Sequence, residues 1–281
     1  MFVTDLLKGK RILVTGGGSG LGKTMAARYL ALGADLVICG RREEVLTETV
    51  AEFEAEHPGR ASWQACDIRD AAAVEAMMDA VWQDGPLDVL VNNAAGNFIA
   101  KSESLSPRAL DAVLNIVLHG TGYVTLACGK RWIAEGRPEA RPASVLSIVT
   151  TYAWTGSPYV VPSAMAKAGV LAMTRSLAAE WGRHGIRLNA IAPGPFPTEG
   201  AWQRLVPNPE IEAKWKDRIP LGRFGEHPEL ANLAAFLVSD QAGFINGEVV
   251  TIDGGEWLKG AGEFSLMEHL SEEDWAAMRG R

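Results

Sequence analysis

Cysteine is scarce in this chain of 281 residues, and the three present, Cys39, Cys66 and Cys128, are far apart, odd in number and free of any C-x-x-C pair. Such spacing suggests neither a disulfide framework nor a zinc site, and it fits a reducing compartment. Histidine is thin as well. His57, His119, His184, His227 and His269 are scattered, no His-Glu-x-x-His occurs, and no metal centre is expected. Positive charge is in deficit: 27 Lys+Arg stand against 34 Asp+Glu, a net charge of -7, which argues against a surface that neutralises nucleic-acid phosphates. The first ten residues carry no apolar signal core, and the apolar run that follows is short of the roughly 18 residues a membrane span needs. A cytoplasmic protein without membrane insertion is therefore expected. Repeats, low-complexity tracts and linker-like shifts of composition are missing too, which points to one domain.

What is there is ordinary globular material, 47% hydrophobic and 22% charged. Short β-branched runs at 11–14, 35–39, 62–66, 89–92, 144–149, 187–191 and 248–252 alternate with helical-period stretches near 21–32, 42–56, 70–84, 106–135, 162–183 and 226–239. That alternation predicts an α/β fold, a doubly wound parallel sheet of seven strands between two helical layers. An insert at about 195–225 reads as a lid, and the sheet domain ends near 255. In the tail, 256–281, Ser271 followed by Glu272, Glu273 and Asp274 reads as an N-capped helix carrying Trp275 and Met278. Such a tail is expected to dock on its own subunit or a neighbour.

The first strand runs into Thr15-Gly16-Gly17-Gly18-Ser19-Gly20-Leu21-Gly22 and then a helix. Glycines let backbone approach a pyrophosphate, and the helix start supplies free N–H groups, so Gly16, Gly17, Gly18, Ser19, Gly20 and Leu21 are candidate dinucleotide contacts. The second strand ends in Gly40-Arg41-Arg42, where an NAD enzyme usually has a carboxylate. A guanidinium pairs with a 2′-phosphate, which favours NADPH through Arg41. The bland alternative is that Arg41 and Arg42 pair with Glu43 or Glu44. Asp67, after the third strand, is placed to accept from the adenine amino group, unless it only serves the helix start at Asp70.

Four motifs occur in order: the glycine loop, Asn92-Asn93-Ala94-Ala95-Gly96 after the fourth strand, a lysine opening the long helix after the fifth, and Pro193-Gly194 after the sixth. Together they resemble the short-chain dehydrogenase/reductase superfamily over about residues 8–255. The resemblance implies a Rossmann-type sheet, a nicotinamide cofactor and a homotetramer. It also makes Asn93, Ala94, Gly96, Lys167, Pro193, Gly194, Pro195 and Phe196 cofactor contacts. The superfamily's Tyr-x-x-x-Lys, however, reads Ser163-Ala164-Met165-Ala166-Lys167. Spacing of four keeps both side chains on one helix face, but the phenol is gone. The chain has four tyrosines. Tyr29 and Tyr123 fall in other helices, which leaves Tyr152 and Tyr159, with Tyr152 just past the fifth strand beside Thr150 and Thr151. Thr150 stands at the usual serine position and Val117 replaces the usual asparagine.

These departures look like the mitochondrial-type 2,4-dienoyl-CoA reductases. Asn92–Phe98, Ser147–Tyr152, Val160–Gly169 and Ser176–Gly182 carry the likeness. It implies that Tyr152 and Asn97 are the catalytic pair, that Lys167 and Ser163 organise ribose and nicotinamide, and that Arg69, Phe98, Ser106 and Arg204 contact an acyl-CoA substrate. His119 stands where that branch has asparagine. Arg41, Arg69 and Arg204 are expected to rim the cleft for coenzyme A phosphates. Two rivals stay open: a ketone or alcohol oxidoreductase using Tyr152 or Tyr159, and a nucleotide-binding protein without chemistry.

Overall fold

The computed structural model describes residues 3–136, 141–198, 202, 206 and 208–279. Seven parallel strands form one sheet: β1 (Arg11–Thr15), β2 (Asp35–Gly40), β3 (Ala61–Ala65), β4 (Val89–Asn92), β5 (Ala143–Ile148), β6 (Ile186–Pro193) and β7 (Val249–Ile252). Their order is β3-β2-β1-β4-β5-β6-β7. The chain thus reverses its winding between β1 and β4, and it is at such a switch, beyond the carboxyl ends of the strands, that open α/β sheets hold ligands.

Alternation along each strand divides the core in two. Ile12, Val14, Leu36, Ile38, Val89 and Val91 bury against α1 (Gly20–Ala31), α2 (Glu43–Glu56) and, toward the other edge, the helix at His227–Val238. Leu13, Val37, Leu90 and Val145 face the opposite side, against α3 (Ala71–Gln83), Val124, Cys128 and Trp132 of a long helix, and Leu177 and Trp181 of the helix at Val161–Trp181. Fully burying one such aliphatic or aromatic side chain is worth about 1.5–3 kcal/mol. Trp132 is wholly enclosed, and its indole N–H donates to the Leu87 carbonyl at 2.7 Å, so no polar group is stranded there.

The long helix expected at 106–135 forms, but not uniformly. Ser106 caps α4 (Pro107–Leu114) by accepting from the Ala109 amide at 3.2 Å. A π-helical segment, Asn115–Gly120, follows, and α5 (Thr121–Glu135) continues from it. The widened turn reaches its neighbours closely: a Cβ on Gly120 would lie 2.7 Å from Ile68, and one on Gly169 2.5 Å from Leu118. By length and composition the stretch Pro107–Glu135 could cross a membrane, but half of its apolar window is buried in this fold.

Beyond β5 come α6 (Tyr152–Thr155) and α7 (Val161–Trp181), and beyond β6 the expected insert contains α8 (Pro209–Asp217). After α9 (His227–Val238) and β7, the tail forms α10 (Glu256–Ala261) and α11 (Glu272–Arg279). Ser271 caps α11 as its sequence suggested, accepting from the Asp274 amide at 3.1 Å. The expected docking within the subunit does not occur. No residue of α11 is buried, and Trp275 and Met278 are exposed, which leaves docking on a neighbouring subunit as the other part of the expectation.

Candidate active site

The glycine turn is held open by its neighbours. Thr15 Oγ1 accepts from the amides of Asn93 and Ala94 at 3.0 Å each, and Asn93 Nδ2 donates to the Thr15 and Gly16 carbonyls at 3.1 and 3.2 Å. A Cβ on Gly22 would fall 2.3 Å from the Gly16 carbonyl oxygen, and Gly16 itself has φ +66°, so neither position takes a side chain. The N-terminus of α1 has no side-chain cap and no acid in its first turn. Free N–H groups and a positive dipole end therefore face the crevice, which suits a pyrophosphate.

A cleft of about 280 Å³ lies at this switch, and Gly16, Gly18, Ser19, Arg41, Asp67, Asn93 and Ala94 from the expected cofactor set line it, with Arg42, Cys39 and Cys66. Its shape and donors fit the adenosine half of a dinucleotide. Gly17 lies outside the lining, where a Cβ would meet Ile38 at 2.5 Å, and Leu21 and Gly96, also outside it, are half-buried. Asp67 is already engaged: Arg69 Nε sits 2.9 Å from both of its carboxylate oxygens, and this pairing first of all holds the Asp67 carboxyl below its ordinary range.

A second cavity, about 690 Å³, opens beyond β5 and β6. Asn97, Thr150 and Tyr152 line it together with Pro193, Gly194, Pro195 and Phe196, so these four expected cofactor contacts border the reaction cavity rather than the adenosine cleft. Helix α6 aims the Tyr152 hydroxyl at Ser163 Oγ, 3.0 Å away. Ser163 and Lys167, one turn apart on α7, are 2% and 7% exposed behind it. The Lys167 ammonium donates to the Ile148 carbonyl, and burial lowers its pKa to about 8. Thr150 Oγ1 is buried with no hydrogen-bond partner among the described residues, a burial that the sequence alone does not reveal. Asn97 Oδ1 accepts from the Phe98 amide at 2.9 Å, which orients the carboxamide and leaves its NH₂ for a ligand.

The expected substrate residues are not gathered at this cavity. Arg69 is held on Asp67 at the nucleotide cleft, since a bidentate partner two residues away outcompetes a distant one. Arg41 also lines that cleft, so no arginine rim from Arg41 and Arg69 forms around the second cavity. Phe98 packs on Val113, Val117 and Ala166, where burial of its ring outweighs exposure to a ligand. Ser106 is spent on capping α4. Arg204 lies outside the described residues. Tyr159 does line the cavity, but with φ +66° and 56% exposure its side chain faces the rim. His119 is exposed on the π segment, with Nδ1 3.0 Å from Asn115 Oδ1. Among the described residues no cluster of metal-ligating side chains occurs.

A switch-point cleft suited to a dinucleotide, beside a half-buried Tyr152 backed by buried Ser163 and Lys167, defines a Rossmann-type oxidoreductase. The family described as enoyl-(acyl carrier protein) reductase matches residues 16–256. A Bacillus subtilis (strain 168) protein named probable 2,4-dienoyl-CoA reductase [(2E)-enoyl-CoA-producing] is 44% identical, over 89% of this chain and 97% of its own. A Caenorhabditis elegans protein named probable 2,4-dienoyl-CoA reductase 3 [(3E)-enoyl-CoA-producing] is 46% identical, over 89% of this chain and 81% of its own. Among solved structures, a gluconate 5-dehydrogenase from Burkholderia cenocepacia J2315 in complex with NADP and tartrate superposes with TM-score 0.83 at 31% identity, covering 91% of this chain and 98% of that one. The chain belongs to the short-chain dehydrogenase/reductase family.

Proposed function

We propose that this oxidoreductase reduces 2,4-dienoyl-CoA thioesters to 3-enoyl-CoA with NADPH, as a homotetramer serving the oxidation of unsaturated fatty acids. One observation carries the reading: the phenol missing from position 163 is supplied by Tyr152, whose hydroxyl meets Ser163 Oγ at 3.0 Å in the cavity that also holds Asn97. The names of both dienoyl-CoA reductase relatives support the substrate class, and that of the Caenorhabditis elegans relative, (3E)-enoyl-CoA-producing, supports the 3-enoyl product. NADPH is favoured by Arg41 and Arg42, both lining the cleft where an NAD enzyme usually carries an acid.

When bound, the cofactor supplies hydride to the far end of the conjugated system. The remaining task for this chain is to hold the negative charge that collects on the thioester oxygen. The Tyr152 hydroxyl and the Asn97 amide are neutral donors suited to that oxyanion, and removing one such donor typically costs a factor of about 10²–10³ in rate. Tyr152 then gives its proton to the α carbon, which leaves the double bond at carbon 3. Ser163, in contact with the phenol, is the route by which the proton is replaced. Lys167, anchored on the Ile148 carbonyl one turn along the helix from Ser163, would offer its charge to the ribose of the cofactor.

The test is NADPH and NADH oxidation with deca-2,4-dienoyl-CoA against simple ketones and sugar acids. Expected is turnover of the thioester with NADPH preferred, and loss of at least about a hundredfold in kcat for Tyr152→Phe with unchanged NADPH affinity. Turnover of ketones in place of the thioester, or a fully active Tyr152→Phe, overturns the reading. The ultraviolet absorption of the product separates a 3-enoyl from a conjugated 2-enoyl thioester, and so locates the proton.

A further inference from the structure

The reaction cavity has two unlike sides. Asn97, Thr150 and Tyr152 make one polar. The other is built where α8 meets α10: Trp202 stacks on Trp215 with centroids 5.3 Å apart, and Trp215 Nε1 donates to Glu256 Oε1 at 2.8 Å. Trp257, next along α10, meets Trp154 edge-on at 5.8 Å, with an interplanar angle of 75°. Its indole N–H is buried without a hydrogen-bond partner among the described residues, so that edge of the ring is polar and the ring faces supply its apolar surface. Gly260 and Ala261, one turn on, complete the wall with no bulk. Lys259 Nζ donates to the Asp217 carbonyl at 2.9 Å, which fastens α10 to α8 a second time.

The open side lies elsewhere. Ile99 and Tyr159, 51% and 56% exposed, line the cavity on neighbouring segments, joined by the Ala100 amide donating to the Tyr159 carbonyl at 2.9 Å. A long amphipathic ligand with its reactive carbonyl at Tyr152 therefore has its polar arm free to leave on that side, and its hydrocarbon directed at the tryptophans. The two charged residues of the lining do not contradict this. Glu256 is held by Trp215, and Arg218, although exposed, brings its guanidinium near Gly260 and Glu256, so the two charges sit together on one part of the wall.

We propose that Trp257 and Ala261, on the C-terminal segment, form the end wall of the acyl subsite and set the chain length this enzyme accepts. The proposal rests on the thioester reading above. Trp257 is the stop, and Ala261 is the small residue whose enlargement would move the stop inward. A change of one or a few methylenes of room is worth about tenfold or more in discrimination.

The experiment measures kcat/KM for hexa-, deca- and hexadeca-2,4-dienoyl-CoA with the wild type, Trp257→Ala and Ala261→Leu, with NADPH binding and thermal midpoint recorded for each. Trp257→Ala is expected to raise the hexadeca-to-deca ratio about tenfold, and Ala261→Leu to lower the deca-to-hexa ratio about tenfold. Ratios that stay put in both variants, or that shift the same way, overturn the proposal. An equal loss at every length also overturns it, because the wall would then follow the coenzyme arm. If the wild type reduces none of the three thioesters, the functional reading itself falls and takes the inference with it. Reduction with unmoved ratios defeats the inference alone.

Discussion

Lys167 is the residue whose surroundings most change its chemistry. Burial disfavours its ammonium and brings the pKa from 10.5 to about 8. Between those two values the folded chain binds fewer protons than the unfolded one, so this group's contribution to stability grows as pH rises through that window. Under the proposed function the effect runs the other way, because the charge Lys167 would offer to the cofactor is present below about 8 and lost above it. The dissociation constant for NADPH is expected to rise about tenfold per pH unit above that point, with no such limb in Lys167→Met. Fluorescence titration across the range checks this. The serine and lysine on one helix face were legible from their spacing of four, and Tyr152 from its place after the fifth strand. The Arg69–Asp67 pair was not, since two charges in one turn can point at ligands or at each other with the same sequence. Nor was the burial of the Thr150 hydroxyl, which depends on neighbours far away in the chain.

Among the elements, α5 carries a direct test of how tightly the layers fit. Gly129 sits inside it, and a Cβ there would lie 2.3 Å from the buried ring of Trp181 on α7. Helix propensity alone would favour Gly129→Ala by nearly 1 kcal/mol, but an indole boxed in on all sides cannot yield. Overpacking is expected to win, for a net loss of about 1–3 kcal/mol. Gly122, on the same helix, has nothing within 4 Å of such a Cβ, so Gly122→Ala is expected to be neutral to mildly stabilising. Urea unfolding of the two variants separates the effects. The elements themselves were legible because apolar period 2 and period 3.6 alternate cleanly. The π segment was not. One extra residue in a turn leaves the apolar pattern on either side intact, and only the close approach of Gly120 to Ile68 shows why it forms.

At the scale of the molecule, a doubly wound parallel sheet of seven strands followed from the alternation of strand and helix runs, while the order of the strands came from the structure. The division into an adenosine cleft and a separate reaction cavity was less accessible. Phe98 and Ser106 fall beside Asn97 in sequence, but one went to a packing cluster and the other to a helix cap, because local burial and capping are satisfied before any ligand arrives. The floor of the cleft also gives the protein a built-in occupancy reporter. Cys39 and Cys66 line it, while Cys128, in the same apolar cluster, is wholly buried and outside the lining. Burial raises the Cys66 thiol to about 11 and raises Cys39 further, so both sulfurs alkylate slowly at neutral pH. Iodoacetamide labelling followed by mass spectrometry should slow at those two sulfurs when NADPH is added and stay level at Cys128, so that a rate of carbamidomethylation reads out how full the nucleotide site is.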